Sequence, residues 1–228
     1  MGAYGGNAVM GLNHGSLEIV TDGLVLCLDA ANSRSYPGAG TVWTDLAGTG
    51  NGALANGPAF NAGNLGSIYF DGSDDYVDLG SAFSNYSVFT ISFWINYIDL
   101  GGNHESPVGD DSQQYNYLVL FFGGSFYLGV SSSQGGTGNT SGGISHGTMV
   151  NGEWYNFVIT KDSSSLISLY KNSLFLGSTT KTGGVNVQWI GRGFTYDNCK
   201  ISMFQLYNRA ISAGEVLQNY EATVGRYI

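Results

Sequence analysis

The stretch FTISFWINY, residues 89–97, decides the fold class. Ile91, Phe93 and Ile95 recur at every second position, with Ser92 and Asn96 between them. This is the period of a pleated strand with one face in a core. Trp94 interrupts the alternation by placing a large aromatic on the otherwise polar face. Outward from this segment the same texture continues. Short apolar or alternating runs at 24–29, 67–70, 76–79, 117–122, 126–130, 154–160, 166–170, 174–176, 185–190 and 200–207 are separated by Gly, Ser, Asn and Asp. Such a number of strands is more than one twisted sheet holds without curling or splitting, so an all-β, two-layer antiparallel sandwich is expected. Residues 162–165 and 171–173 read as hairpin turns, and 99–114 and 131–150 as long loops.

One helix is signalled. Ser212 followed by Glu215 forms a capping box, flanked by Ile211 and Val216 as a hydrophobic staple, with Leu217 and Tyr220 continuing an apolar stripe. It is expected to close one end of the sandwich. Residues 1–22 are Gly-rich with no sustained period and are taken as an N-terminal arm, a candidate attachment segment; 23–228 form the sandwich domain.

Composition supports this and removes several functions. The chain has 228 residues, enough for one domain with a sizeable core. Its 43% hydrophobic and 11% charged content argues against disorder despite 36 Gly. Eight basic residues against 17 acidic ones, a net charge of −9, form no cluster, so nucleic-acid binding is not expected. The apolar run at 117–122 is far too short to span a bilayer, so no membrane insertion is expected. Residues 1–20 carry neither a basic region nor a continuous apolar run, so no cleaved signal peptide is expected, and MGAYGG lacks the residue a myristoylation signal needs at position six. Cys27 and Cys199 lie in strand-like segments, readable as buried apolar residues or as a disulfide pair.

Chemistry-bearing motifs are sparse. Residues 143–147 spell GxSxG, but loop-like flanks and the absence of any later histidine deny the strand, turn and helix that a nucleophile elbow requires. None of the five glutamates has an acid two or four positions away on a strand, so the facing carboxylates of a sugar hydrolase are missing and no catalytic residue is assigned. Asp71, Asp74, Asp75 and Asp78 are the densest acidic group, readable as a turn or as a calcium loop. Asp110, Asp111 and Asn116 form a second oxygen-rich group, readable as a solvated polar rim or, with Asp197, as metal ligands. No cofactor is expected; calcium is the one ion these oxygens would suit. Tyr115, Phe194 and Tyr196 lie near turns where a sugar ring could stack, and are the candidate ligand-binding residues.

The ordered succession LVLCLDAANSRS (24–35), WTDLAG (43–48), NGALANGPAFN (51–61), SIYFDGSDDYVDLG (67–80), FTISFWI (89–95), GEWYNFVITKD (152–162) and ISMFQLYNRAISAGEVLQNYEA (201–222) resembles LamG-like domains of the concanavalin A-like superfamily. The resemblance implies a jelly roll with its first and last strands adjacent. More narrowly, FDGSDDYV and the ending LYNRAISAGEVLQNYEATVGRY resemble structural proteins of tailed bacteriophages, including cyanophages. That implies a non-enzymatic virion protein made in the host cytoplasm. It would decorate head, neck or tail, form a homo-oligomer, meet other virion structural proteins and contact host-surface glycans. The alternative is a lectin-like module, calcium-assisted, without a structural role. A pentraxin-type double calcium site fits poorly, because Tyr115 stands where that family has Asp and Asp197 is the only acid in 191–198.

Overall fold

The computed structural model describes residues 17–100, 104–110, 117–128 and 143–228. Among these described residues, sixteen strands, one α-helix and two 3-10 turns follow in order: β1 (Leu24–Asp29), β2 (Val42–Trp43), β3 (Gly52–Ala55), β4 (Ala59–Asn61), β5 (Ser67–Asp71), β6 (Tyr76–Tyr86), β7 (Phe89–Tyr97), β8 (His104–Gly109), β9 (Tyr117–Phe122), β10 (Ser125–Leu128), β11 (Ile144–Ser145), β12 (Trp154–Lys161), β13 (Leu166–Lys171), β14 (Leu174–Thr180), β15 (Val185–Ile190), β16 (Asn198–Tyr207) and α1 (Ala213–Thr223). The 3-10 turns are Gly63–Leu65 and Val224–Arg226.

The strands make two antiparallel eight-stranded sheets. The first runs β14-β13-β12-β7-β16-β5-β4, with β1 also on β16; the second runs β11-β10-β9-β8-β15-β6-β3-β2. The first and last strands pair, Leu28 opposite Phe204, as the resemblance implies. The inward residues of β7, β12 and β16 build one wall of the core, where Phe93 stacks on Phe204 at 6.2 Å. Phe121 of the second sheet meets Phe157 of the first at 4.5 Å and joins the layers.

The turns form as their chemistry dictates. The Asp162 carboxylate accepts the Ser164 and Leu166 amides, while Asn172 and Ser173, both at positive φ, reverse the chain between β13 and β14. Ser212 caps α1 by accepting the Glu215 amide, and Glu215 accepts the Ser212 amide in return. The helix does not close an end of the sandwich. Val216 and Ile211 pack with Val158, Tyr170 and Tyr207 on the outer face of the first sheet, because those strands present apolar side chains on both faces.

Three further details depart from the sequence reading or resolve it. The expected loop 99–114 contains β8, hidden in the sequence by Pro107; its pairing with β9 shifts register between Glu105 and Val108, where a missing amide does least harm. Residues 17–22, the end of the expected arm, lie against the domain: Val20 donates to Asn219, Tyr207 donates to the Val20 carbonyl, and Arg209 pairs with Asp22 at 2.9 Å. Residues 1–16 lie outside the described residues. Both cysteines are free and buried. Cys199 belongs to the inner core, whereas Cys27 pairs across β1 and β16 with Gln205 rather than with Cys199. Burial pushes the Cys27 thiol up to about 12.

Candidate functional site

The shared motifs are largely fold staples. Asp45 of WTDLAG accepts the backbone amides of Cys27, Ala47 and Gly50. Asp29 of LVLCLDAANSRS accepts the Ala31 amide and pairs with Arg226 at 2.8 Å, tying β1 to the C-terminus. Asp75 is buried and accepts the Asp71 amide, as the turn reading of this cluster requires. The oxygens of Asp71, Asp74 and Asp75 lie within 4.8 Å of one another. Burial, helped by those neighbouring charges, raises the Asp75 carboxyl. Asp78 lies apart on β6, accepting the Gly80 amide.

The connection from β15 to β16 holds three of the sequence-predicted site residues. Asp197 is 1% exposed and accepts from the Ser106 amide at 2.9 Å, the Thr195 hydroxyl at 3.2 Å and the Tyr97 hydroxyl at 3.4 Å. Burial raises its carboxyl to about 7, against the opposing pull of those donors. The connection lies so close to β8 that a Cβ on Gly193 would sit 1.9 Å from the Ser106 Oγ. Tyr196 joins Tyr76 and Trp189 around the Arg192 guanidinium, which lies 4.0 Å from the Trp189 ring and 5.2 Å from that of Tyr196. That ring is therefore already engaged by a cation, whereas Phe194 is half exposed. Asp110 is wholly buried, one residue beyond Gly109, which pairs with Trp189. Asp197 meets β8 at Ser106, four residues before Asp110 in the chain. Asp111, Tyr115 and Asn116 lie outside the described residues.

Two further recesses lie on the sandwich. One, about 490 Å³, opens beside β9, β10 and β11 and is lined by Glu105, Phe121, Ser145, His146 and Met149. His146 is 5% exposed with its ring edge-on to Phe121 at 5.1 Å; burial, then the Lys171 charge, lowers it to about 4, so it is neutral near pH 7. The GxSxG segment contributes β11 here, and no helix follows it before β12. The second recess, about 510 Å³, lies on the outer face of the first sheet. Register creates it: Trp154 pairs with Asn96, and Asn96 with Lys200, so three strands place these side chains in one row. Asn64, Glu153 and Tyr227 complete its rim. Tyr227 lies 4.0 Å from the Trp94 ring and 4.9 Å from that of Trp154, and the Trp154 indole donates to Asn64. The sequence reading missed this site. Its one signal was Trp94, the aromatic out of phase on β7 that now supports Tyr227.

The jelly-roll sandwich with its first and last strands joined defines the class. Residues 71–217 match the Laminin_G_3 family, described as concanavalin A-like lectin/glucanases superfamily, and the chain belongs to that family. No curated protein matches it. Solved structures of similar fold include a Trypanosoma rangeli sialidase in complex with sialic acid, with TM-score 0.64 and 16% identity over 90% of this chain and 33% of that one. The receptor binding domain of a botulinum neurotoxin C/D mosaic serotype aligns with TM-score 0.67 and 16% identity, covering 90% of this chain and 52% of that one. The binding domain of Paraclostridial Mosquitocidal Protein 1 gives 0.62 and 19%, covering 88% and 52%. The chain thus spans a third to a half of these proteins. No helix among the described residues is long and apolar enough to cross a membrane.

Proposed function

We propose that this protein is a non-enzymatic structural component of a bacteriophage particle, displayed on the virion surface, where its sandwich contacts host-surface glycans. One observation carries the non-enzymatic part. Each of these two recesses is lined by a single carboxylate among the described residues, Glu105 in one and Glu153 in the other, and a third, about 560 Å³, is lined by none. Hydrolysis of a glycosidic bond ordinarily takes two carboxyl groups facing each other across it. Four of the other buried acids serve the fold: Asp29 holds Arg226, Asp45 and Asp75 hold backbone amides, and Asp197 holds the β15–β16 connection. What remains is a surface suited to holding a ligand.

The particle assignment is supported by the FDGSDDYV and LYNRAISAGEVLQNYEATVGRY segments and their likeness to tailed-phage structural proteins. Two of the similar folds are named as binding domains, one of a botulinum neurotoxin and one of a mosquitocidal protein, which accords with recognition as the task of the sandwich. Weak glycan contacts would gain avidity from many copies on one particle or in a homo-oligomer. The test is a glycan array probed with the purified chain, with and without a calcium chelator, beside a reducing-end assay on the same glycans. Binding without released ends is expected. Silence under both conditions would leave only the structural role; released ends would overturn the non-enzymatic reading; loss of binding on chelation would bring calcium into the site.

A further inference from the structure

The recess on the outer face of the first sheet contains an acceptor that the fold leaves unanswered. Asn96 is 3% exposed, and its side-chain Nδ2 donates to the Gly152 carbonyl, which fixes the orientation of the amide. Its Oδ1 is then the other atom, buried and without a hydrogen-bond partner. A buried acceptor left in this state costs its full desolvation, and a donor arriving from the recess would recover it.

The neighbours restrict what that donor can belong to. The Lys200 side chain, next to Asn96 in the cross-strand row, makes no ion pair or hydrogen bond among the described residues and lines the recess. Glu153 lines it too, accepting one bond from the Tyr155 hydroxyl. An anion entering the recess would meet Glu153, and a cation would meet Lys200. Groups that both donate and accept satisfy Asn96, Glu153 and Lys200 together, and hydroxyls do so without carrying charge. Trp154 and Tyr227, held 4.9 Å apart, add aromatic surface beside these polar groups, where the C–H face of a ring can pack. Trp94 behind Tyr227 and the Trp154 bond to Asn64 hold both rings in place before any ligand arrives.

We propose that this recess is a subsite for one uncharged pyranose ring, packed on Trp154 and donating a hydroxyl to the buried Oδ1 of Asn96. This rests on the glycan-contact reading above and adds to it a place and a charge class. It lies apart from Phe194 and Tyr196, which follow β15 in the second sheet.

The test is a titration of the full chain with the methyl glycosides of glucose, galactose, mannose and N-acetylglucosamine, with glucuronate and glucosamine as charged counterparts. It is followed by the indole N–H resonance of Trp154, assigned by its loss in Trp154→Phe. Saturable shifts with at least one neutral glycoside are expected below about 100 mM, which detects a dissociation constant near about 10 mM. The charged counterparts should bind at least about tenfold more weakly. Lys200→Gln, a substitution at a partly exposed position, should weaken binding about fivefold with the fold intact by circular dichroism, and Phe194→Ala should leave it unchanged. A stronger response to glucuronate than to any neutral ring would overturn the charge class. If an array-positive glycan is lost with Phe194→Ala but retained in Trp154→Ala and Lys200→Gln, the location fails while the glycan-contact reading stands. If no glycan binds anywhere, both fall.

Discussion

Replacing Asp197 with Asn tests whether the β15–β16 connection is held by a buried carboxyl that prefers its proton. The carboxyl lies 1% exposed and is raised from an ordinary 3.8 to about 7 by burial. Below about pH 4 both folded and unfolded chains carry the proton, and this group leaves stability unchanged with pH. Between about pH 4 and 7 the unfolded chain releases the proton while the folded chain keeps it, so stability falls as pH rises. Above about 7 the loss levels off. A shift of this size corresponds to an upper bound of about 4 kcal/mol. Asn keeps an oxygen for the Ser106 amide and removes the titration. The assay is urea unfolding of both proteins from pH 4 to 8. The difference in stability, variant minus wild type, should climb by about 2–4 kcal/mol across that range. A difference that stays flat, or that shrinks as pH rises, would refute this account of the corner.

The other predictions concern the frame. Ser212→Ala removes the cap of α1 and should cost about 1 kcal/mol, lowering the thermal midpoint by about 2–4 °C; an unchanged midpoint would show that the box contributes nothing. Glu215, drawn down to about 2 chiefly by its bonds to Arg209, should make acid stability depend on this residue: the stabilisation is present above about pH 4.5 and lost as pH falls toward 2, and Glu215→Gln should flatten that limb of the unfolding curve. Removal of residues 1–22 should lower the midpoint below that of a chain lacking only 1–16, because Val20 is buried against Tyr207 and Val216; calorimetry of the two truncations measures the difference. Neither cysteine should react with a thiol reagent in the folded protein, and both should react on unfolding; mass spectrometry finding a bridge would contradict the two free thiols.

What could be read from the sequence was what is local. The strand at 89–97, the Ser212 and Glu215 box and the polar reversals at 162–165 and 171–173 each carry their structural cause within a few residues, and each forms, although both faces of that strand are buried where the alternation suggested one. Strands β3 and β4 were not legible, because Gly, Ala and Asn have little strand preference of their own and are held there by pairing with their neighbours, and β2, only Val42 and Trp43, is too short to show a period. Pro107 concealed β8 for the complementary reason, since a local veto was overruled by register. The outer recess depends on distance in sequence. Asn96, Trp154 and Lys200 come from three separate strands, and only the pairing of β7 with both β12 and β16 brings them to one row. Asp197 and Tyr196 looked available because a turn exposes most of what it carries, but this one folds back on β8 and uses them.

The central claim is that the sandwich holds glycans without cleaving them. The most direct measurement is proton NMR of the array's best-bound oligosaccharide mixed with the purified chain and followed for several days. The account predicts saturable broadening of the ligand signals, with every glycosidic linkage intact at the end. New reducing-end anomeric signals that disappear when Glu105 or Glu153 is replaced by Gln would contradict it.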